Sequence, residues 1–107
     1  MIQENNKNNS VFLLPKNRTL NFSSCTYLGE IHQIIKEKLE LPEWYGENLD
    51  ALWDAVTGLM YVPANIKIVF KPKTNAAQKL SDEVEKIISL FVQAQEEYGQ
   101  IKVTIEK

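Results

Sequence analysis

The chain has 107 residues, enough for one domain with its own core, and its 44% hydrophobic and 24% charged residues are typical of a globular protein. A net charge of −2 and an isoelectric point near 5.4 argue against a nucleic-acid-binding protein, since such proteins usually display a basic surface. The single cysteine, Cys25, rules out an internal disulfide and favours a reducing compartment. We expect Cys25 to be a small buried side chain, because the sequence around it lacks the positive charge that makes a thiol reactive.

Residues 1–10 contain four asparagines, and this composition favours a disordered lead-in to a single domain over residues 11–107. The lead-in has no basic start followed by an apolar run, as a secretion signal would have. No apolar stretch of the chain is long enough to cross a bilayer. We therefore expect a cytoplasmic protein with no membrane partner.

Two short apolar segments follow, and either could form the first strand. Residues 11–14 are ended by Pro15, which cannot continue a strand ladder, and residues 19–22 form the second candidate. Short apolar runs are ambiguous, so the residues leave both alternatives open.

The next segment predicts a helix over residues 27–40. Thr26 is a plausible N-cap, and Pro42 marks the end of the helix or the loop beyond it. His32 lies beside the apolar stripe of this helix, and we interpret it as structural, because the sequence shows no partner for acid–base chemistry. The apolar residues that share one face at helical spacing are Leu28, Ile31, Ile34, Ile35 and Leu39.

A second helix is predicted over residues 49–57, with Asn48 as its N-cap and Gly58 just beyond its end. Its apolar stripe consists of Leu49, Leu52, Trp53 and Val56. The elements predicted after it are a strand over 66–71, a short helix over 74–80, a longer helix over 82–98 and a last strand over 101–105, with Asp82 and Glu85 as a capping-box variant and Gly99 as the helix stop.

The order of the main elements is strand, helix, helix, strand, helix, strand. Strands separated by helices favour a parallel sheet with helices packed on it. The sequence therefore predicts an α/β fold in which a three-stranded parallel sheet packs against about four helices.

Charge is unevenly distributed along the chain. Between Lys38 and Lys67 there is no lysine or arginine, while this span holds five of the 14 acidic residues, and all 12 basic residues lie elsewhere. Asp50 and Asp54 are four apart on the predicted helix, a spacing at which like charges destabilise a helix by roughly a few tenths of a kcal/mol. Such local conflicts tend to lie at functional sites.

Large aromatic residues accompany these acids. Trp44 and Tyr45 lie in the loop before the helix, and Gly46 allows the backbone to turn or to approach another surface closely. Aromatic residues beside charges are common at interface hot spots and would suit an arginine-rich partner. Periodicity alone instead favours Trp53 in the core and Tyr45 partly buried, and the two aspartates would also fit an ordinary solvated face.

An enzymatic interpretation is weaker. Asp50 and Asp54 have the chemistry of paired carboxylates or metal ligands, but no third acid or histidine stands at ligand spacing. The sequence also lacks a nucleophile–base pair, an HExxH pattern and a phosphate-binding glycine loop. We expect no catalysis, no cofactor, no metal, no nucleic-acid partner and no small-molecule substrate.

Residues 41–58, LPEWYGENLDALWDAVTG, closely resemble the signature LPxYYGxNLDALWDxLTG of the barstar family, the intracellular inhibitors of secreted guanyl-specific ribonucleases such as barnase. The match is dense over about 18 residues, and outside it the agreement lies in element order and apolar pattern from about residue 19 to 106. The resemblance implies the same fold, a three-stranded parallel sheet with helices, and a barnase-type ribonuclease as partner.

The resemblance also implies roles for individual residues. Asp54 would enter the phosphate-binding pocket of the ribonuclease and mimic a substrate phosphate, and Asp50 matches a second interface aspartate. Trp44 replaces a tyrosine that stacks on catalytic residues of the nuclease. The partner-binding residues implied in this way are Trp44, Gly46, Asn48, Leu49, Asp50, Trp53, Asp54, Thr57, Gly58, Gln93 and Glu97.

Three features depart from the family pattern. Gln93 stands where a glutamate that contacts the nuclease is common in the family. Leu59 stands where a tryptophan often follows the Thr-Gly pair, and the N-terminal segment is longer than usual for the family. A lost charge pair usually lowers both the association rate and the affinity. The alternative interpretation is therefore an interaction module of the same fold that binds a basic partner other than a ribonuclease.

Overall fold

The computed structural model describes residues 16–58, 63–72, 77–99 and 101–107, and over these ranges it shows three strands and three helices. The α/β class and the three-stranded parallel sheet are confirmed. The elements in chain order are β1 (Lys16–Asn21), α1 (Leu28–Lys38), α2 (Leu49–Gly58), β2 (Ala64–Val69), α3 (Gln78–Tyr98) and β3 (Ile101–Glu106).

The sheet has the order β1-β2-β3, and both pairs of neighbours are parallel. Ala64 at the start of β2 lies opposite Lys16 of β1 on one side and Ile101 of β3 on the other. Parallel neighbours need a long crossover between them, and here α1 and α2 connect β1 to β2 while α3 connects β2 to β3.

The core lies on one face of this sheet. In β2 the side chains of Ala64, Ile66 and Ile68 are buried, while Lys67 between them is exposed. This alternation follows from the two-residue period of a strand, and the helices cover the face that carries the buried side chains. The opposite face carries polar contacts, such as the 2.9 Å ion pair between Lys67 and Glu106. The largest fully buried side chains are Phe22, Phe91, Leu20, Ile31, Ile35, Leu52, Ile66, Ile68, Ile87, Val56 and Val84.

The start of α1 differs from the prediction. Tyr27 is the N-cap residue and its side chain makes no capping hydrogen bond, so the assignment of Thr26 as N-cap is wrong. Thr26 instead donates its backbone N–H and its hydroxyl to the carboxylate of Glu30, at 2.6 and 3.0 Å. These bonds hold the pKa of Glu30 below its usual value and tie the first turn to the preceding loop. The helix also ends at Lys38, before the predicted residue 40.

The number of helices is the main correction: the described residues form three helices, where about four were predicted. Residues 78–80 of the predicted short helix form the first turn of α3, and the backbone N–H of Ser81 continues that helix by donating to the carbonyl of Ala77 at 3.2 Å. Asp82 therefore lies inside α3 rather than at a capping box, and it accepts a hydrogen bond from Gln78 at 2.8 Å. Polar residues within a turn of a helix start resemble a cap in sequence, and this similarity divided one helix into two.

The end of α3 follows the prediction. Gly99 adopts a left-handed conformation with φ of 62°, and its N–H donates to the carbonyl of Gln95 at 3.1 Å. Glycine is favoured there because a side chain would strain this backbone conformation.

The strand bounds shift by a few residues. The candidate over 19–22 overlaps β1, and β2 begins at Ala64 rather than at residue 66. The other candidate over 11–14, the lead-in over 1–10, Leu59 and residues 74–76 lie outside the described residues. The division into a lead-in and one domain therefore stays a prediction.

Candidate partner-binding surface

The surface predicted from residues 41–58 is organised by the start of α2. The side-chain oxygen of Asn48 accepts the backbone N–H of Ala51 at 2.8 Å, and its side-chain nitrogen donates to the carbonyl of Gly46 at 3.2 Å. The first bond satisfies one of the unpaired N–H groups at the helix start, and the second fixes the preceding loop to it. The prediction of Asn48 as N-cap is confirmed.

The loop before α2 turns at an unexpected residue. Glu47 has a positive φ of 55°, whereas Gly46 does not have a positive φ. Gly46 is needed for space instead: a Cβ at this position would lie 3.3 Å from the Cβ of Ala51. The backbone of Gly46 therefore approaches the first turn of α2, within the protein itself, rather than another surface.

Trp44 and Tyr45 are neighbours with opposite environments. Trp44 is 75% exposed, the largest exposed fraction among the large hydrophobic side chains that the structure describes. Tyr45 is 6% exposed and belongs to the core. An exposed tryptophan is held in a defined position when the next residue is anchored in the core, and this arrangement suits an interface.

A cleft of about 350 Å³ lies between this loop and α2. The carboxylate-bearing Asp54 borders the cleft on the helix side, and Trp44 borders it on the loop side. Asp54 is exposed, and within the described part of the chain it has no cation at ion-pairing distance. The residues lining the cleft are Pro42, Trp44, Tyr45, Gly46, Ala51, Asp54 and Ala55.

A second cleft of about 450 Å³ separates α2 from α3. Asp50 borders this cleft, so the two aspartates, although four residues apart on one helix, open onto different clefts. Asp50 likewise lacks an ion-pair partner among the described residues. The residues lining this cleft are Leu49, Asp50, Trp53, Glu85, Lys86, Ser89, Leu90 and Gln93.

Trp53 has both of the environments that the sequence left open. It packs against the core while remaining partly exposed at the second cleft. Its ring meets the ring of Tyr98 edge to face, with centroids 6.4 Å apart. Tyr98 is 49% exposed and extends the aromatic surface to the end of α3, a contact that the sequence analysis missed.

The remaining predicted contacts form the margin of this surface. The side-chain amide of Gln93 donates a hydrogen bond to the Glu97 carboxylate at 2.8 Å, which orients the neutral Gln93 side chain. The hydroxyl of Thr57 donates to the carbonyl of Trp53 at 2.7 Å and is used within the helix. Gly58 is the last residue of α2 rather than the residue after it, and nothing lies within 4 Å of the position that a Cβ would take.

A buried polar cluster beneath the loop was missed by the sequence analysis. His32 is 4% exposed; its Nδ1 lies 3.0 Å from the hydroxyl of Tyr45, and its Nε2 lies 2.8 Å from a carboxylate oxygen of Glu83. Burial, and then the charges of Glu47 and Glu83, raise the pKa of Tyr45 to about 12. The sequence analysis interpreted His32 as structural because it found no partner for it. The structure supplies two, and the acidic one stands 51 residues further along the chain and carries no local signal.

Other chemistry was tested against the same residues. Over 16–58, 63–72, 77–99 and 101–107, no three histidine, cysteine or acidic side chains are grouped so that they could hold a metal ion. None of the helices described there is both long and apolar enough to span a membrane. Cys25 is half-buried, and burial followed by the charge of Glu30 raises the pKa of its thiol, which disfavours the reactive thiolate.

Comparisons with known proteins agree with this geometry. The family described as "Barstar (barnase inhibitor)" matches residues 16–106. The chain is also 35% identical over 77 residues to a protein of Bacillus subtilis (strain 168) named "Putative ribonuclease inhibitor YrdF". This alignment covers 71% of the chain and 82% of that protein.

Proposed function

The chain belongs to the barstar family, and on that premise we propose that it is a ribonuclease inhibitor that occludes the basic active site of a secreted, barnase-type, guanyl-specific ribonuclease. The observation that carries the proposal is the pair of exposed carboxylates, Asp50 and Asp54, that lack a cationic partner among the described residues. A ribonuclease active site holds a polyanion and is therefore basic, so it supplies cations with which these two carboxylates can pair.

Asp54 has the central role in this proposal. It is exposed at the edge of the first cleft, where its carboxylate can enter a phosphate-binding pocket and pair with arginine side chains. Asp50 pairs with cations at the second cleft. The surrounding aromatic side chains, Trp44 above all, exclude water from these pairs and so strengthen them.

The other predicted residues shape the contact surface. Asn48 and Gly46 fix the loop geometry, Leu49 and Trp53 line the second cleft, and Thr57 and Gly58 form the far end of α2. Gln93 and Glu97 extend the surface onto α3. We propose that the encounter takes place in the cytoplasm, before the ribonuclease is exported.

The test is calorimetric titration of the protein into a barnase-type ribonuclease, with RNA cleavage measured in parallel. We expect stoichiometric binding and loss of cleavage. Asp54→Ala should weaken binding by at least about 2 kcal/mol, roughly thirtyfold, because it leaves the ribonuclease cations buried without a partner. Asp82→Asn is the matched control, since it removes one exposed acid from α3 and should leave the affinity within about twofold.

Two outcomes would contradict the proposal. An unchanged dissociation constant for Asp54→Ala would exclude the proposed role of Asp54. Absence of binding to basic ribonucleases would instead favour the alternative, a barstar-family module with another basic partner. Gln93 is the observation that favours this alternative, because its neutral side chain, paired with Glu97, offers no charge to a ribonuclease arginine.

A further inference from the structure

We propose that the hydrogen-bonded chain Glu83–His32–Tyr45 positions the loop over residues 41–47, which makes Glu83 a positioning residue for partner binding although it lies on α3. The predicted effect of Glu83 on affinity rests on the proposed function. The predicted effect of Glu83 on the loop can be tested in the free protein.

The chemistry of the three groups fixes the direction of one bond. The carboxylate of Glu83 only accepts, so the Nε2 of His32, at 2.8 Å, must carry the hydrogen and donate it. The Nδ1 on the other side of the ring lies 3.0 Å from the hydroxyl of Tyr45, a group that can both donate and accept, so this second bond forms whichever of the two atoms carries the hydrogen. Glu83 thereby fixes the orientation of the His32 ring that meets the tyrosine.

Burial makes this chain rigid. The side chain of His32 is 5% exposed and that of Glu83 is 17% exposed, although both residues border a surface cleft of about 380 Å³. Removing one member would leave a buried polar group unsatisfied, which is more destabilising than the bond itself is stabilising. The three residues therefore hold one arrangement of α1, α3 and the loop.

Tyr45 transfers this rigidity to the contact surface. Its ring is anchored in the core, and its backbone N–H donates to the carbonyl of Pro42 at 3.0 Å, closing the turn that contains Trp44. Trp44 is 75% exposed and has little packing of its own. Its placement is therefore set by its neighbours: Tyr45 on one side, and on the other Glu43, which pairs with Lys36 at 3.0 Å. Preorganisation of an exposed contact group raises affinity, because less freedom is lost on binding.

A directional bond adds something that packing alone would not. Apolar contacts fill the space around the Tyr45 ring but leave its rotation and depth weakly specified, whereas the hydroxyl must point at Nδ1. The loop joins this chain at a single residue. A substitution of Glu83 should consequently alter the position of Trp44, although the two residues are not in contact.

The test compares two substitutions at one position. Glu83→Met removes both the charge and the acceptor atom, whereas Glu83→Gln removes the charge and keeps an oxygen that can accept from His32. We expect hydrogen exchange of the Tyr45 amide in the free protein to be at least about tenfold faster in Glu83→Met and nearly unchanged in Glu83→Gln. Exchange of the Ile68 amide in the central strand measures global unfolding, and the rate of Tyr45 is read relative to it.

Affinity for the barnase-type ribonuclease is the second readout. Glu83→Met should weaken binding about tenfold and Glu83→Gln much less. In a Trp44→Ala background the substitution Glu83→Met should no longer change the affinity, since its effect passes through that side chain. A role confined to overall stability would move Tyr45 and Ile68 exchange together and would show no dependence on Trp44.

The outcomes separate the two proposals. Faster Tyr45 exchange in Glu83→Met, with no ribonuclease bound by the unmodified protein, would support the positioning chain and contradict the proposed function. Tight ribonuclease binding, with Tyr45 exchange unchanged in Glu83→Met relative to Ile68, would overturn the positioning chain and leave the function standing.

Discussion

Consecutive aromatic residues in this loop perform different tasks. Trp44 faces solvent and Tyr45 faces the core, because the turn closed by the Tyr45 N–H and the Pro42 carbonyl directs the two side chains apart. The more polar of the two aromatics is the buried one, and it is accommodated because its hydroxyl meets His32. Burial without that partner would leave the hydroxyl unsatisfied.

Alkaline conditions should reveal this arrangement. The folded-state pKa of Tyr45 is raised to about 12, above its ordinary value of 10. A raised pKa means that the neutral form is the stabilised one, so its contribution is fully present below pH 10 and declines as the pH rises through about 12. We expect the free energy of unfolding, measured by urea denaturation, to fall across this range.

Substitutions of tyrosine test the cause of that decline. Tyr45→Phe has no proton to lose and should flatten this part of the pH dependence, although it should lower stability at neutral pH by about 1–3 kcal/mol, because the buried Nδ1 of His32 loses its partner. Tyr27→Phe is the control, because Tyr27 is 62% exposed and its substitution should leave the slope unchanged. An equal slope in Tyr45→Phe and the unmodified protein would contradict this assignment.

Single-residue roles were predictable where the determinant is local. Asn48 before an apolar helical stripe indicates a cap, and Gly99 after one indicates a stop, because both depend on backbone within four residues. The contact of His32 with Glu83 depends on how α1 and α3 pack, and no spacing along the chain encodes that. The placement of Trp53 was left undecided for a related reason: it is partly buried, and periodicity distinguishes only faces.

At the scale of elements, α2 is stabilised mainly at its start. Asp50 lies in the first turn and complements the helix dipole, whereas the last turn has no basic residue to do so. Asp54, further along, gains little from the dipole and is repelled by Asp50. The helix is thus held by its cap and by the packing of Leu52, Ala55 and Val56.

The cap should therefore have a measurable effect. Asn48→Ala removes the acceptor for the Ala51 N–H and should lower the free energy of unfolding by about 1 kcal/mol. Asn48→Ser keeps a capping oxygen and should lose less than half of that. Chemical denaturation of the two variants makes the comparison, and equal losses would show that the side-chain bond to Gly46, rather than the cap, carries the effect.

Two glycines at helix ends should respond to alanine in opposite directions. Gly99 has a φ of 62°, so Gly99→Ala should destabilise the protein by roughly 1 kcal/mol. Gly58 has helical geometry and open space around it, so Gly58→Ala should be neutral or stabilising by up to about 1 kcal/mol. Thermal unfolding checks the signs, and destabilisation by both substitutions would contradict the distinction.

Element boundaries were less predictable than element types. The apolar residues over 78–98 keep one helical period throughout. Ser81 and Asp82 lie on the polar face, but both are residue types that favour helix starts, and they led the sequence analysis to divide α3 into two helices. The parallel pairing of the strands followed from the alternation of strands and helices, which depends only on element type, whereas their order in the sheet was not predicted.

At the scale of the whole molecule, charge is segregated only in part. The 12 basic residues lie outside the span between Lys38 and Lys67, but Arg18 and Lys36 pair with two of its five acids, Glu40 and Glu43. The negative field is therefore concentrated at the remaining acids, Glu47, Asp50 and Asp54, which have no ion-pair partner among the described residues. A field of this kind orients an approaching basic partner before contact.

Association with a barnase-type ribonuclease should consequently depend on salt. We expect the association rate constant to fall at least about tenfold between 10 mM and 1 M NaCl, since the screening length shrinks from about 30 Å to about 3 Å. The dissociation rate should change much less. Stopped-flow fluorescence measures both, and an association rate independent of salt would argue against electrostatic steering.

The parallel sheet places a constraint on when the binding surface can exist. Both sheet pairings involve β2, and the register joins residues 48 and 37 positions apart, so β1 stays unpaired until β2 has been synthesised, and the sheet is complete only after β3. The cleft beside Asp50 also needs α3, which follows α2 by twenty residues. During translation the segment that carries the aspartates leaves the ribosome well before the scaffold that presents them. The candidate surface is therefore acquired late, and a nascent chain halted after α2 would carry the family signature without its shape.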